Sequence, residues 1–229
     1  MTEVSEMREA LGRGKLTEQA YNYIRDGILR GELPAGSVLA ETEIAEALGN
    51  SRTPVRHALG LLLQEGLVEV GPRRQLIVRG FTPEHRSELL VLRDALEDVA
   101  VRRACEVMAM EDIDYLRLLL MRQRRAANEG REDDFIELDE QFHLKIAEGA
   151  RLPILVRFLG QLRGFVRVMR LGTVRHPRHL VQVLAEHSAI VDALERRDVN
   201  AATAALVQHL HKSDYVLDEQ EVEVGRRGR

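Results

Sequence analysis

The sequence predicts a mainly α-helical chain in two parts: an N-terminal winged helix-turn-helix with a small β-hairpin wing, and a C-terminal antiparallel α-helical bundle. Three observations carry that expectation. Two short helical patterns meet at a tight turn, Gly49-Asn50-Ser51, as in a helix-turn-helix. Two β-prone runs, 67–70 and 76–78, follow at once and flank the turn-forming string Gly71-Pro-Arg-Arg-Gln75. From Pro83 onward helical periodicity returns and continues almost to the end. A chain of 229 residues has room for two cores, so the expected domains are 1–80 and 81–229, with 219–229 a disordered tail.

Each element has a local reason. Leu16 to Arg30 reads as a helix after a polar leader, with Thr17 and Glu18 suiting its start and Leu16, Ala20, Tyr23, Ile24 and Ile28 on one stripe. Gly31-Glu-Leu-Pro-Ala-Gly36 ends it, because Pro34 cannot continue a helix. Glu41 to Leu48 is a short helix facing inward through Ile44, Ala45 and Leu48. Ser51 caps the next, from Arg52 to about Gln64, whose first turn tolerates Pro54 and whose stripe is Ala58, Leu59, Leu62 and Leu63. Beyond Thr82-Pro83 the expected helices are 83–107, 111–128, 132–148, 152–171, 177–196 and 199–218, broken at Asn128-Glu-Gly130, Gly149, His176-Pro177 and Asp198. Six such helices sharing an interior make a bundle.

Composition excludes several classes. Apolar residues at 45% and charged residues at 31% are ordinary for a globular protein, while 4% aromatics and no Trp argue against stacking platforms for single-stranded nucleic acid. The lone Cys105 allows no disulfide framework, suits a reducing compartment and reads as a small buried apolar residue. No apolar leader and no run of about 20 apolar residues is present, so a soluble cytoplasmic protein with no membrane partner is expected. The net charge of −4 hides a local reversal. Residues 1–50 carry a net −4, whereas 51–80 carry Arg52, Arg56, Arg73, Arg74 and Arg79 against Glu65 and Glu69, a net +3.

That reversal coincides with the second helix of the helix-turn-helix. Arg52, Thr53 and Arg56 project opposite its apolar stripe, and an arginine there can donate two hydrogen bonds to guanine O6 and N7 in a major groove. Arg73 and Arg74 at the wing tip can reach phosphate. In the second half, Asp139 and His143 lie four apart and share a helix face, with His187 and His209 on later helices. One oxygen and three nitrogen ligands would suit Zn²⁺, Ni²⁺, Co²⁺ or Mn²⁺, although spacing alone leaves their convergence open. Arg93 and Glu97, also four apart, read on spacing alone as a helix-surface salt bridge.

From Leu16 to Val70, through Ser51-Arg-Thr-Pro-Val-Arg-His-Ala-Leu59, the chain resembles the GntR superfamily of regulators. Residues 92–104, 139–147, 185–202 and 206–210 look like successive blocks of the FCD (FadR-type C-terminal) ligand domain. The resemblance implies a dimeric repressor acting on double-stranded operator DNA, with Arg52, Thr53 and Arg56 as recognition contacts and Thr42 as another DNA-facing side chain. It implies metal ligation by Asp139, His143, His187 and His209, and a small organic or sugar acid as effector with Arg93 as its anchor. His57, His85, His176, His179 and His211 match no ligand position. The chain departs from the family at Gln75, where a wing-tip glycine is usual, and at 150–153, where Gly-Asn is common.

Two other classes compete. A metalloenzyme with a DNA-localising head lacks support, because no H-E-x-x-H, nucleophile motif or general base accompanies the ligand set. An architectural DNA-binding dimer with a structural bundle would hold neither metal nor small molecule. The expected protein is not an enzyme.

Overall fold

The computed structural model describes residues 2–169 and 177–212. Its backbone divides into two compact units, and the chain passes from the first to the second between Pro83 and Glu84.

The first unit contains α1 (Thr2–Leu29), α2 (Glu41–Ala47), α3 (Arg52–Glu65), β1 (Val68–Val70) and β2 (Leu76–Val78). α1 begins well before the expected Leu16, because strong helix formers such as Glu3, Glu6, Met7 and Ala10 continue the helix through the polar leader. Thr17 is therefore interior to it. Ala20, Ile24 and Ile28 form the buried line, joined by Gly27 and Leu29. Leu16 and Tyr23, at 37% and 49% exposed, do not belong to it. Tyr21 bonds Glu65, the last residue of α3, so Leu16 lies more than a turn beyond that helix's end, and Tyr23 falls to the side of the four-residue spacing. Leu33 closes over Gly27, whose absent Cβ would sit 2.9 Å from Leu33 Cδ1.

Ser51 adopts the extended backbone of an N-cap, but its side chain makes no capping bond. The inner face of α3 is Val55, Ala58, Leu59 and Leu62, at spacings of three and four, while Leu63 is exposed. The helix ends at Gly66 in the left-handed conformation (φ 80°), and Leu67 N–H returns to the Leu62 carbonyl. β1 and β2 pair antiparallel as Val68 with Val78, Glu69 with Ile77 and Val70 with Leu76. The opposite edge of β2 is taken by residues 36–39, through Val78 N–H to Ser37 and Leu39 N–H to Leu76. That third partner was not legible in the sequence.

The second unit is built from helices, with Pro83 and residues 167–169 grouping with the first: α4 (Pro83–Val107), α5 (Met110–Asn128), α6 (Glu132–Gly149), α7 (Pro153–Met169), α8 (Pro177–Glu195) and α9 (199–212). The expected break at His176, helix end at 170–171, continuation to 218 and tail 219–229 lie outside the described residues. Val101, Leu116, Leu119, Phe142, Ile190, Leu206 and the buried Cys105 share the main core, which draws on α4, α5, α6, α8 and α9. A buried phenylalanine such as Phe142 contributes about 1.5–3 kcal/mol. Gly149 is not a conformational break: it lies against Met108, and the left-handed position falls on Arg151 (φ 58°). Arg197 is also left-handed (φ 57°), and its guanidinium donates to Cys105 and Met108 carbonyls at the end of α4. No helix among the described residues is long and apolar enough to cross a membrane.

Tyr21 Oη bonds both oxygens of Glu65 at 2.9 and 2.8 Å, tying α1 to α3. Burial first, then Glu65, pushes its hydroxyl from 10.0 up to about 12. A raised value means that the stabilisation is present below pH 10.0 and is lost as pH rises through about 12. Tyr21→Phe is expected to lower unfolding free energy by about 1 kcal/mol at neutral pH. Thermal melts should show Glu65→Ala costing little more once Tyr21 is already Phe.

Candidate DNA-reading surface and candidate metal centre

In the first unit, Thr42, Arg52, Thr53, Arg56, Arg73 and Arg74 are all exposed. α3 achieves this by burying Pro54, Val55, Ala58 and Leu59 beneath them, which leaves 52, 53 and 56 on the outer face. Arg56 is held by Glu41 of α2, with Nη2 donating to Oε2 at 2.7 Å. In the wing, Gly71 N–H reaches Gln75 O at 2.8 Å and Arg74 N–H reaches Gly71 O at 2.9 Å, closing the turn. The left-handed residue of the turn is Arg74 (φ 63°), and Gln75 does not take that conformation. Gln75 is half-buried, its side chain folded over Gly71, where a Cβ would come within 2.8 Å of Nε2.

In the second unit, Asp139 and His143 of α6, His187 of α8 and His209 of α9 come together, all buried, with one ligand atom from each lying within 4.8 Å of the others. His209 Nε2 is 3.2 Å from His143 Nε2 and 3.4 Å from His187 Nε2, and Asp139 Oδ1 is 3.5 Å from His187 Nε2. Three side chains behind them face the other ring nitrogens. His187 Nδ1 lies 3.0 Å from Gln123 Oε1, His209 Nδ1 3.0 Å from Glu186 Oε2, and His143 Nδ1 2.5 Å from Glu97 Oε2. Gln123 Oε1 and Glu186 Oε2 accept, so Nδ1 of His187 and of His209 carries the hydrogen and Nε2 turns a lone pair inward, while Glu97 lies close to His143 Nδ1 without hydrogen-bond geometry.

Facing lone pairs repel unless a cation or a proton lies among them, and protons are disfavoured. Burial first, then Arg163, pushes His143 from 6.5 down to about 4, against the pull of Glu97. Burial and the neighbouring His209 hold His187 well below its ordinary value. Ligand bonds of about 2.1 Å to one ion would set nitrogens about 3.0–3.4 Å apart in octahedral or tetrahedral geometry. The observed 3.2 and 3.4 Å fit that range.

Two buried arginines flank the cluster. Arg93 donates Nη2 to Leu210 O at 3.4 Å, and its Nε is 3.9 Å from Glu97 Oε1, so it is an interior residue and not half of a surface salt bridge. The sequence reading missed Arg163 of α7, which donates Nη1 to Glu97 at 2.6 Å and Nη2 to Asp139 at 2.9 Å. Burial opposes ionisation of Glu97, yet His143 and Arg163 hold its carboxyl well below the usual range. Gln123 and Glu186 were missed as well. Their common signal is a polar residue at a buried helical position: Arg163 between Leu159 and Val166, Gln123 between Leu119 and Ala126. Among the histidines without a matching position, His57 and His211 are exposed and His176 lies outside the described residues.

A winged helix-turn-helix with an arginine-bearing outer face, followed in the chain by a separate helical bundle, defines a DNA-binding transcription regulator. Residues 16–78 match the family "Bacterial regulatory proteins, gntR family" and 88–212 match the FCD domain. The chain belongs to the gntR family of bacterial regulators and carries an FCD domain after its DNA-binding one. It is 28% identical over 197 residues to the HTH-type transcriptional repressor RspR of Escherichia coli K12, covering 86% of each chain. It is 31% identical over 204 residues to a probable D-xylose utilization operon transcriptional repressor of Paenarthrobacter nicotinovorans, covering 87% of this chain and 88% of that one. The solved structure of E. coli McbR/YncC superposes with a TM-score of 0.81 at 26% identity, over 90% of this chain and 98% of that one.

Arg163 compensates two buried carboxylates at once. Replacing it with Met should destabilise the protein by about 3–5 kcal/mol, because buried Asp139 and Glu97 both lose the guanidinium they bond and Glu97 keeps only the longer contact to Arg93. Denaturant titration of Arg163→Met against wild type reads this directly.

Proposed function

We propose that this chain is a homodimeric repressor whose operator affinity is set by a small carboxylic acid bound beside a divalent transition metal in its second unit. The observation that carries the reading is the inward convergence of three imidazole Nε2 atoms, each ring with a polar oxygen within 3.0 Å of its Nδ1. Asp139, His143, His187 and His209 are the ligands, and Zn²⁺, Ni²⁺, Co²⁺ and Mn²⁺ all suit a mixed nitrogen and oxygen set. Bound there, such an ion supplies a Lewis-acidic point for an anionic oxygen. Gln123, Glu186 and Glu97 hold the rings in the ligating tautomer.

Arg93 and Arg163 supply the positive charge that an effector carboxylate needs in a buried setting, where an unpaired anion is costly to desolvate. Both now lie near Glu97, so an incoming acid competes with Glu97 for them. Glu97 and Arg93 lie on α4, which starts at Pro83, five residues after the wing strand ends at Val78. A shift of that carboxylate therefore acts on the helix that continues from the DNA-binding unit in sequence. Arg52, Thr53 and Arg56 read base edges, with Thr42, Arg73 and Arg74 adding DNA contacts. Two copies on a pseudo-palindromic site multiply the few base pairs that one recognition helix reads. The D-xylose link printed for one relative makes sugar acids the first compounds to screen.

The test is operator binding by metal-loaded and chelated protein across a panel of organic and sugar acids. An effective acid should change operator affinity about 5–150-fold, and operator should change acid affinity by the same factor. Arg93→Ala and His187→Ala should each abolish the effect. An acid that binds the metal-loaded protein while leaving operator affinity unchanged would sink this reading.

A further inference from the structure

Arg56 leaves the outer face of α3 with 67% of its side chain accessible, yet its guanidinium is held in place. Nε lies 2.9 Å from Oε1 and 3.1 Å from Oε2 of Glu41, and Nη2 donates to Oε2 at 2.7 Å. Glu41 opens α2, is only 27% accessible, and sits one turn before the buried Ile44. The pair therefore bridges the two helices of the helix-turn-helix at their outer surface. An exposed ion pair of this kind contributes little to stability. Its effect is on orientation.

A guanidinium has five N–H donors, one on Nε and two on each terminal nitrogen. Glu41 occupies the side edge, taking Nε–H and one Nη2–H. Three donors remain, and those at the Nη1/Nη2 end form the fork that matches O6 and N7 of a guanine. We propose that Glu41 is a positioning residue for base reading: by gripping the side edge of Arg56 it orders the side chain before binding and turns its free end toward a guanine in the major groove. The proposal rests on the reading that Arg56 contacts a base. Ordering the side chain in the free protein removes an entropic cost otherwise met on binding. The same carboxylate places a negative charge close to DNA phosphates, which weakens binding to any sequence. Glu41 thereby exchanges general affinity for discrimination.

The test uses the full chain and a randomised duplex library, with bound fractions sequenced for wild type, Glu41→Ala, Glu41→Gln and Arg56→Ala. Affinities are then measured for a wild-type-selected duplex, for its single base-pair variants and for unselected duplex. Arg56→Ala should erase the preference for guanine at one base pair of each half-site. Glu41→Ala should reduce discrimination at that same pair about tenfold, while affinity for unselected duplex stays equal or rises a few-fold. Glu41→Gln should fall between Glu41→Ala and wild type. Equal loss on every duplex would mean that Glu41 only supports the fold, and overturns the proposal. A gain on every duplex with discrimination intact would mean that Glu41 merely masks Arg56, and also overturns it. If Arg56→Ala keeps every base preference, the base-reading assignment itself is wrong, an outcome visible without any Glu41 variant.

Discussion

Three imidazole nitrogens turned toward one another inside an apolar bundle are the constraint on which the second unit depends. Buried polar groups must find partners, and this interior holds three histidines, three carboxylates, two arginines and a glutamine. The arrangement pairs many of them in two tiers. Gln123 and Glu186 take the Nδ1 hydrogens of His187 and His209, Glu97 lies against His143 Nδ1, and Arg163 donates to both Glu97 and Asp139. What remains is a set of inward nitrogens that a small cation would resolve. The surrounding core of Phe142, Leu116, Ile190 and Leu206 excludes water and sets the helix spacing that makes the convergence possible.

The first unit relies on the opposite condition, since its chemistry is on the outside. Pro54, Val55, Ala58, Leu59 and Leu62 fix α3 from beneath, so Arg52, Thr53 and Arg56 need no burial to hold their places. The wing is tightly built: Arg74 occupies a left-handed turn position without being glycine, and Gln75 folds over Gly71. The absence of a glycine at Gln75 therefore does not disturb the hairpin, and Arg73 and Arg74 remain outward.

Much of this was legible in the sequence because it is local. Glycine and proline punctuation placed the described helix ends to within a residue or two, the start of α1 excepted, and the four-residue spacing of Asp139 and His143 put them on one face. The structural convergence of His187 and His209 with that pair depends on how distant helices pack, which periodicity does not encode; only the family resemblance pointed to it. Arg163, Gln123 and Glu186 escaped notice because a polar residue in an apolar stripe looks like a boundary position until its partner is seen across the bundle. Tyr23, Leu16 and Leu63 failed for the complementary reason: an apolar residue near a stripe is buried only if another element extends far enough to cover it.

The central claim is that four side chains from three helices form one metal centre, and X-ray absorption of the full-length protein loaded with one equivalent of Zn²⁺ addresses it most directly. The account predicts nitrogen and oxygen scatterers at about 2.0–2.2 Å, with imidazole outer-shell scattering from three rings. His187→Ala should remove one ring's contribution. A shell of oxygen alone, or an imidazole count unchanged by that substitution, would contradict it.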